Sequence, residues 1–311
     1  MQIQAWGQCM SFQLRFAWKS SPKVAVPIGL VRALWCRTGD DAQHSRLFVS
    51  NLHPSPEILL VAINARYRHS SIGLRCLKAN LGDLEARSRI LEFTLKERAI
   101  DMLESIVLAK PRIVGIGVYV WNVQLVHELA ALIRAVLPDC TLVLGGPEVS
   151  HELEGQPLEQ LAHFVVQGEG EEAFSALCER LLSGELPKKT VIQGGTPPMT
   201  ELALPYRLYT DEDIANRVLY VEASRGCPYR CEFCLSSLDK KVRDVPTDAL
   251  FKEIDRLWER GGRDFKFIDR TFNLSLDFSL RVLTFFLEKG AGGYSPHFEM
   301  VPERLPKELL D

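Results

Sequence analysis

The sequence predicts an α/β protein whose first part is a doubly wound parallel sheet, and three observations lead to this prediction. From residue 57 onward, short apolar runs alternate with segments whose apolar residues recur at helical spacing. The apolar runs are continuous, as in strands that are buried on both faces. Strands that alternate with helices form parallel sheets covered by helices on both sides.

The elements between residues 57 and 193 follow in a regular order. The predicted strands are 58–63, 88–94, 112–121, 141–146 and 163–168, with a further edge strand at 190–193. The predicted helices are 72–82, 97–109, 123–137 and 170–184. We therefore expect a flavodoxin-like domain over residues 57–193, whose ligand lies beyond the carboxyl ends of the strands.

Three other segments flank this domain. Residues 1–56 lack periodicity and are predicted to be an irregular extension, and residues 194–216, rich in Gly, Pro and Thr and then acidic, to be a linker. From residue 217 a second βα pattern begins. Its predicted strands are 217–224, 264–269 and 297–301, and its predicted helices are 247–262 and 277–289. Thr247 is the predicted N-cap of the first helix, and Gly261 is its predicted C-terminal stop.

Composition excludes several classes of function. The 311-residue chain is 46% apolar and 25% charged, as in ordinary globular proteins. A formal net charge of -3 gives no basic footprint for nucleic acid. There is no apolar run long enough for a membrane span and no clean secretory signal at the N-terminus, so we expect a cytoplasmic protein.

Three of the eight cysteines are clustered. We expect Cys76, Cys140 and Cys178 to be small buried apolar residues. Cys227, Cys231 and Cys234 instead form a Cys-x-x-x-Cys-x-x-Cys loop directly after a strand. Three thiolates at this spacing can ligate three irons of a 4Fe-4S cluster and leave the fourth iron open for a ligand.

Two alternatives for the cysteine loop stay open. Structural zinc prefers four ligands, and no histidine lies between Cys178 and His297 to supply the fourth. A redox disulfide between Cys231 and Cys234 would leave Cys227 without a role.

The loop SRGCPYRCEFCLSS (224–237) resembles the signature of the radical S-adenosylmethionine (radical SAM) enzymes. The resemblance implies a partial radical SAM (β/α) barrel over residues 217–311. Such a barrel has more βα units than the three strands visible here, so we expect this part to be truncated. It also implies that the open iron chelates S-adenosylmethionine, whose reductive cleavage gives a 5′-deoxyadenosyl radical. An electron donor such as flavodoxin or ferredoxin would be the partner. The implied S-adenosylmethionine contacts are Phe233, Asp269, Asn273 and Glu299. Asp269 could instead be a turn or cap residue, and Glu299 could lie on the barrel rim.

The upstream domain is similar to the cobalamin-binding domain that precedes a subset of radical SAM enzymes. The similar segments are NARYRHSSIGLRCL (64–77), GIGVYVWN (115–122), LGGPEVS (144–150) and VVQGEGEEAF (165–174). The implied cobalamin contacts are His69, Tyr119, Gly145, Gly146, Gly168, Glu169 and Gly170. The Asp-x-His-x-x-Gly pattern that ligates cobalt is altered here, because Tyr67 replaces the Asp and Gly73 comes one residue late. His69 could therefore be a polar loop residue.

Together these resemblances imply a cobalamin-dependent radical SAM enzyme that transfers a methyl group or rearranges a substrate, which the sequence does not identify. A second hypothesis is a non-catalytic cobalamin-binding module with a vestigial cluster loop. A third is a zinc-stabilised interaction protein.

Overall fold

The computed structural model describes residues 55–310 except 152, 233, 290–292 and 302–305. All described residues belong to the same structural unit. The predicted extension 1–56 lies outside the described residues apart from its last two. Within the described residues, no helix is both long and apolar enough to cross a bilayer.

A six-stranded parallel sheet forms the N-terminal part. Its strands are β1 (Ile58–Asn64), β2 (Ser88–Thr94), β3 (Ile113–Gly117), β4 (Thr141–Gly145), β5 (Phe164–Gln167) and β6 (Val191–Gln193). The order across the sheet is β2-β1-β3-β4-β5-β6, and every neighbouring pair is parallel. The predicted parallel sheet is confirmed, including its edge strand β6.

Helices cover both faces of this sheet. They are α1 (Ile72–Ala79), α2 (Ala99–Ala109), α3 (Val123–Val136), α4 (Pro147–His151), α5 (Pro157–Leu161) and α6 (Glu171–Leu182). Apolar residues of α1 and α6 pack on one face, and those of α2, α3 and α5 pack on the other. Cys76, Cys140 and Cys178 are buried in these layers, as predicted.

Strand β3 ends four residues before the predicted boundary at residue 121. The buried Asn122 explains the early end. Its side-chain Oδ1 accepts the N–H of Tyr119 (2.8 Å), and its Nδ2 donates to the carbonyls of Ile63 and Gly117, both at 3.1 Å. These bonds favour a turn over further pairing, so the aromatic residues of the segment lie in a loop at the strand end.

The C-terminal part is a smaller parallel sheet. In chain order its elements are α7 (Asp211–Asn216), β7 (Leu219–Val221), β8 (Ser224–Arg225), β9 (Arg243–Asp244), α8 (Thr247–Glu259), β10 (Asp264–Phe267), α9 (Leu276–Glu288), β11 (Ser295–His297) and α10 (Lys307–Leu310). The strands β11-β10-β7 form a parallel sheet, and β8 pairs antiparallel with β9 in a short ribbon.

Two local predictions for this part are wrong. Helix α8 begins at Thr247 itself, and Pro246 occupies the N-cap position without a side-chain hydrogen bond. The third strand, β11, ends at His297, so Glu299 follows the strand instead of lying on it. The segment between residues 298 and 301 continues without strand pairing, although the Glu299 carbonyl accepts the Phe272 N–H at 2.8 Å.

The segment predicted as a linker, 194–216, is an ordered part of the junction between the sheets. Tyr206 and Tyr209 are 1% exposed and belong to the core of the C-terminal sheet. Helix α7 carries Asp213, which faces Arg75 of α1. The Arg75 Nη2 lies 2.8 Å from the Asp213 carboxylate and 2.9 Å from the Glu92 carboxylate, and all three side chains are buried. A buried ion-pair cluster therefore joins the two sheets.

Candidate functional site

A cavity of about 230 Å³ lies between the six-stranded sheet and helices α1 and α6. It reaches the carboxyl ends of β3, β4 and β5, where ligands of such sheets commonly bind. Six residues that were predicted to contact cobalamin line it: Tyr119, Gly145, Gly146, Gly168, Glu169 and Gly170. The structure thus brings together three loops that are far apart in the sequence.

Glycines shape this cavity because larger residues would clash at several positions. Gly146 has φ +108°, and a Cβ there would lie 2.5 Å from the carbonyl oxygen of Val118. At Gly170 a Cβ would lie 2.9 Å from Cδ2 of Leu77. The backbone therefore forms part of the cavity wall, and a planar ligand or nucleotide tail can approach it closely. A cavity of about 230 Å³ fits the nucleotide tail of a cobalamin but not the whole group.

Sequence reasoning missed several residues of the same wall. They are Leu60, Gly73, Leu74, Leu77, Gly115, Gly117, Glu171, Phe174 and Arg225. Gly115 and Gly117 alternate along β3, and a Cβ on Gly115 would lie 3.2 Å from both the Leu60 and the Phe174 side chains. The pattern Gly-Ile-Gly inside a predicted strand was the signal that could have identified these two positions.

An aromatic pair lies in the loop after β3. The ring of Tyr119 stacks on that of Trp121 with centroids 4.5 Å apart. Trp121 is 50% exposed and its neighbour Val120 is 75% exposed. Burial raises the pKa of the Tyr119 hydroxyl, so this group stays neutral at physiological pH. The cavity wall therefore continues into an exposed apolar loop at the same edge of the sheet.

His69 lies elsewhere and does not line the cavity. Its Nδ1 is 2.6 Å from the hydroxyl of Tyr220 on β7, at the junction of the two sheets. Burial lowers the pKa of His69, and the cations Lys266, Arg66 and Arg68 lower it further. A neutral imidazole bonded to a tyrosine suits the junction, and the predicted contact of His69 with cobalamin stays a prediction.

The cysteine loop is fixed at its base. Gly226 has φ +92°, and a Cβ there would lie 2.4 Å from the Lys241 carbonyl oxygen. The Cys227 N–H donates to the Asp239 carbonyl at 2.8 Å, and the Cys234 N–H donates to the Cys231 carbonyl at 3.1 Å. These contacts close the loop between β8 and β9.

The three thiols differ in their surroundings. Cys227 is buried with its Sγ 3.8 Å from the Thr271 hydroxyl, Cys231 is exposed, and Cys234 is half-buried. Among the described residues, no three His, Cys, Asp or Glu side chains are gathered as a metal-holding group. The donor set nevertheless has the chemistry of an iron–sulfur site, since three thiols follow one another on a short loop. Phe233 lies outside the described residues.

The other predicted S-adenosylmethionine contacts bind protein groups. The Asp269 carboxylate, 3% exposed, accepts the Ala223 N–H at 3.1 Å and the Ser224 hydroxyl at 2.6 Å, and burial raises its pKa. The Asn273 side chain exchanges two hydrogen bonds with the backbone of Val301, at 2.8 and 2.9 Å. The bonds from Ala223 and Ser224 give Asp269 a turn-stabilising role at the entry to the cysteine loop.

Glu299 has a different environment from Asp269 and Asn273. Its side chain is 42% exposed and lies near two cations, 3.9 Å from Lys266 and 3.6 Å from Arg270. It is therefore a solvent-accessible group at the carboxyl end of the smaller sheet.

Two arginines connect the cysteine loop to the cavity. Arg225 on β8 and Arg243 on β9 face each other in the ribbon register. Both bind the Glu169 carboxylate, Arg225 at 3.0 Å and Arg243 in a forked contact. Arg225 also binds Glu171 at 2.6 Å and Glu222 at 2.8 Å. We call Glu169, Arg225 and Arg243 the arginine clamp.

Burial and neighbouring charges shift the pKa values of Arg225 and its partner Glu222 in opposite directions. Burial raises the pKa of the Glu222 carboxyl, although the Arg225 cation opposes the shift. Burial lowers the pKa of the Arg225 guanidinium, but the carboxylates of Glu222 and Glu171 outweigh it and raise this pKa overall. Arg225 is therefore a permanent cation at the point where the cavity meets the cysteine loop.

Comparison with known proteins identifies the N-terminal domain. A B12 binding domain model matches residues 58–178. An uncharacterised methyltransferase of Pyrococcus horikoshii is 30% identical over 200 residues, which are 55% of this chain and 43% of that protein. The cobalamin-dependent radical SAM methyltransferase TokK of Streptomyces tokunonensis is 29% identical over 198 residues, which are 54% of this chain and 28% of TokK.

A solved structure extends the likeness to the fold. The cobalamin-dependent S-adenosylmethionine radical enzyme OxsB, with aqua-cobalamin and S-adenosylmethionine bound, superposes with a TM-score of 0.58 at 17% identity. The match covers 78% of this chain and 38% of OxsB. The chain thus spans less than half the length of each of these three proteins. It is a B12-binding domain protein related to the cobalamin-dependent radical SAM methyltransferases.

Proposed function

We propose that this chain carries the cobalamin-binding domain and the cluster loop of a cobalamin-dependent radical SAM methyltransferase. The observation that carries the proposal is the direct contact between a glycine-lined cavity and the base of a Cys-x-x-x-Cys-x-x-Cys loop through the arginine clamp. The methyltransferase relatives favour methyl transfer over rearrangement. The smaller parallel sheet would be the first part of a radical SAM barrel.

In this proposal the chain's residues bind and orient the cofactors. Gly145, Gly146 and Gly170 would let the backbone approach cobalamin, and the exposed loop holding Tyr119 and Trp121 would cover one side of it. Cys227, Cys231 and Cys234 would hold a 4Fe-4S cluster. When bound, that cluster supplies the electron for cleavage of S-adenosylmethionine, and cobalamin supplies a second reactive metal centre.

The remaining polar residues divide into two groups. Asp269 would fix the backbone that leads into the cysteine loop, because its carboxylate holds Ala223 and Ser224. Glu299, which is exposed at the end of the smaller sheet, would be free to meet a polar group of S-adenosylmethionine. Phe233 beside Cys234 would lie near the adenine.

Anaerobic reconstitution with iron and sulfide tests the cluster half of the proposal. We expect the reduced protein to give a cubane signal in electron paramagnetic resonance that changes when S-adenosylmethionine is added. A cluster that does not respond to S-adenosylmethionine would contradict the open iron. Absorbance titration with hydroxocobalamin tests the other half, and a chain that binds none would contradict it.

A second candidate function is a non-catalytic cobalamin-binding module. The observation that favours it is the contrast between the shaped cavity and the three thiols, which are not gathered as a metal-holding group among the described residues. Anaerobic incubation with S-adenosylmethionine and a reductant separates the two functions. A radical SAM enzyme should form 5′-deoxyadenosine, and a binding module should form none.

A further inference from the structure

Glu169 occupies two structural environments at once. It lies between Gly168 and Gly170 in the cavity wall, and its carboxylate binds Arg225, which also lines the cavity, and Arg243, which does not. The backbone is held from a second side, because a Cβ on Gly194 would lie 1.8 Å from the Glu169 carbonyl oxygen. A ligand that contacts the cavity wall at 168–170 would therefore act on a residue that is already bound to the base of the cysteine loop.

The Glu169 carboxylate also has an electrostatic role in the ribbon. Arg225 and Arg243 are directly opposite each other in an antiparallel pair, and like charges at such positions repel. Glu169 accepts hydrogen bonds from both guanidinium groups and is the carboxylate that they share, while Glu171 and Glu222 also offset the charge of Arg225. The side chains are 19% (Glu169), 14% (Arg225) and 10% (Arg243) exposed, so water screens these contacts less than it screens surface pairs.

Arg225 is separated from Cys227 only by Gly226, whose tight backbone contact with Lys241 leaves little freedom between them. A displacement of Arg225 is therefore passed on to the first cysteine of the loop. In the same way, a metal group that orders the loop would hold both arginines against Glu169.

We propose that the arginine clamp couples the two sites, so that ligand binding in the cavity and iron–sulfur cluster binding at the cysteine loop strengthen each other. Glu169, Arg225 and Arg243 are positioning residues in this scheme. Each ligand would hold the clamp in the arrangement that the other site requires, so the second ligand to bind finds its site already arranged. Linkage requires that the two effects be equal in size. The inference rests on the proposed function, since it needs both cofactors to bind.

The test compares hydroxocobalamin affinity in cluster-free and in anaerobically reconstituted protein, using the full chain and absorbance titration. For the unmodified chain we expect reconstitution to tighten binding by about fivefold or more, a typical size for coupling between sites. In Arg243→Met we expect equal affinity in the two forms. Arg243 does not line the cavity, so this substitution removes the coupling without removing a ligand contact.

A control breaks a different ion pair that also ends on the N-terminal part of the chain. Glu85→Gln disrupts the forked contact of Glu85 with Arg207, which joins the N-terminal part to the segment 194–216 away from the cavity. We expect it to keep the coupling. Glu169→Gln provides a second test of the clamp if Arg243→Met does not fold. If the Glu169 side chain itself bound the ligand, Glu169→Gln would lower the affinity of both forms equally, whereas disruption of the clamp removes the difference between them.

The outcomes separate this inference from the proposed function. A chain that binds hydroxocobalamin and a cluster, but whose affinity does not respond to reconstitution, would overturn the coupling and leave the proposed function intact. Coupling that survives in Arg243→Met and Glu169→Gln, or that disappears equally in Glu85→Gln, would also overturn the role of the clamp. A chain that binds neither cofactor would overturn both proposals.

Discussion

The glycine-lined cavity and the cysteine loop differ in how their geometry arises. The cavity wall combines apolar side chains of the sheet, α1 and α6 with glycine backbone at the ends of β3, β4 and β5, and its shape follows from strand register and from glycines that leave room. The cysteine loop has a fixed base at Gly226 and the β8–β9 ribbon, but its donors are side chains with three different degrees of exposure. A backbone site is formed by folding itself, whereas a site made of thiols depends on how its ligand draws them together.

This difference predicts that the two sites respond differently to substitution. Changes in the cysteine loop should remove a cofactor and leave the fold intact. Changes in the cavity wall should affect ligand affinity and stability together, because the same backbone atoms serve both.

The largest expected effect is the loss of iron on Cys231→Ala. The side chain is exposed, so its removal should cost little stability. We expect iron after anaerobic reconstitution to fall from about four per chain to nearly none, since a cubane needs its thiolate ligands. Iron and sulfide assays measure this. The control is Cys178→Ala, which replaces a buried cysteine of α6 outside the loop. The protein with this substitution should bind as much iron as the unmodified chain.

Gly146→Ala should weaken cobalamin binding by about tenfold or more, and strain at this position should cost about 1–3 kcal/mol of stability. The reason is the positive φ together with the 2.5 Å approach to Val118. Gly155→Ala is the matched control, because Gly155 also has a positive φ, of +78°, but has open space around its Cβ position. If both variants bound hydroxocobalamin like the unmodified chain, the cavity would not be the cobalamin site.

Arg75→Met tests whether the junction between the sheets can be weakened without changing the cavity. Removing Arg75 leaves the buried carboxylates of Glu92 and Asp213 to share Arg217, which lies 2.9 and 3.4 Å from them, so the cost should be below the ~3–5 kcal/mol of a fully unpaired buried charge. We expect a lower midpoint in urea denaturation and an unchanged hydroxocobalamin affinity in the folded protein. A large loss of affinity would mean that the cavity depends on the junction.

The smallest expected effect concerns pH. The pKa of His69 is lowered in the folded state, so the unfolded chain binds more protons between that value and about 6.5, the ordinary histidine pKa. The stability that neutral His69 contributes is fully present above about 6.5 and is lost as the pH falls through the folded-state pKa. Urea midpoints measured from pH 7 to 5 should therefore fall less steeply for His69→Asn. Equal slopes would contradict this role.

Much of the N-terminal sheet could be predicted from the sequence because each strand is a continuous apolar run. Strand β2 has the predicted bounds, and β4 and β5 differ from their predictions by a residue at one or both ends. The prediction failed at the end of β3, where hydrogen bonds from the side chain of Asn122 outweigh the apolar pattern of the next four residues. A local polar contact of this kind does not change hydrophobic periodicity and so leaves no trace in it.

The candidate site was predicted to a similar extent and for similar reasons. Glycines at strand ends are visible in the sequence, and six of the predicted contacts line one cavity. The clamp was missed because Glu169 and Arg243 are 74 residues apart and neither has a local pattern that indicates the other. His69 was predicted to contact cobalamin because of its position in a sequence motif. Only the fold shows that its ring contacts Tyr220 and does not line the cavity.

The register that sets Arg225 opposite Arg243 has a consequence for sequence variation. Positions 169, 225 and 243 form one contact unit, so a neutral residue at 169 would remove the carboxylate that the two facing cations share. Replacement of Glu169 by a neutral residue should then be accompanied by loss of a charge at 225 or 243. Related chains should vary at these three positions together, even where the intervening sequence has diverged beyond alignment.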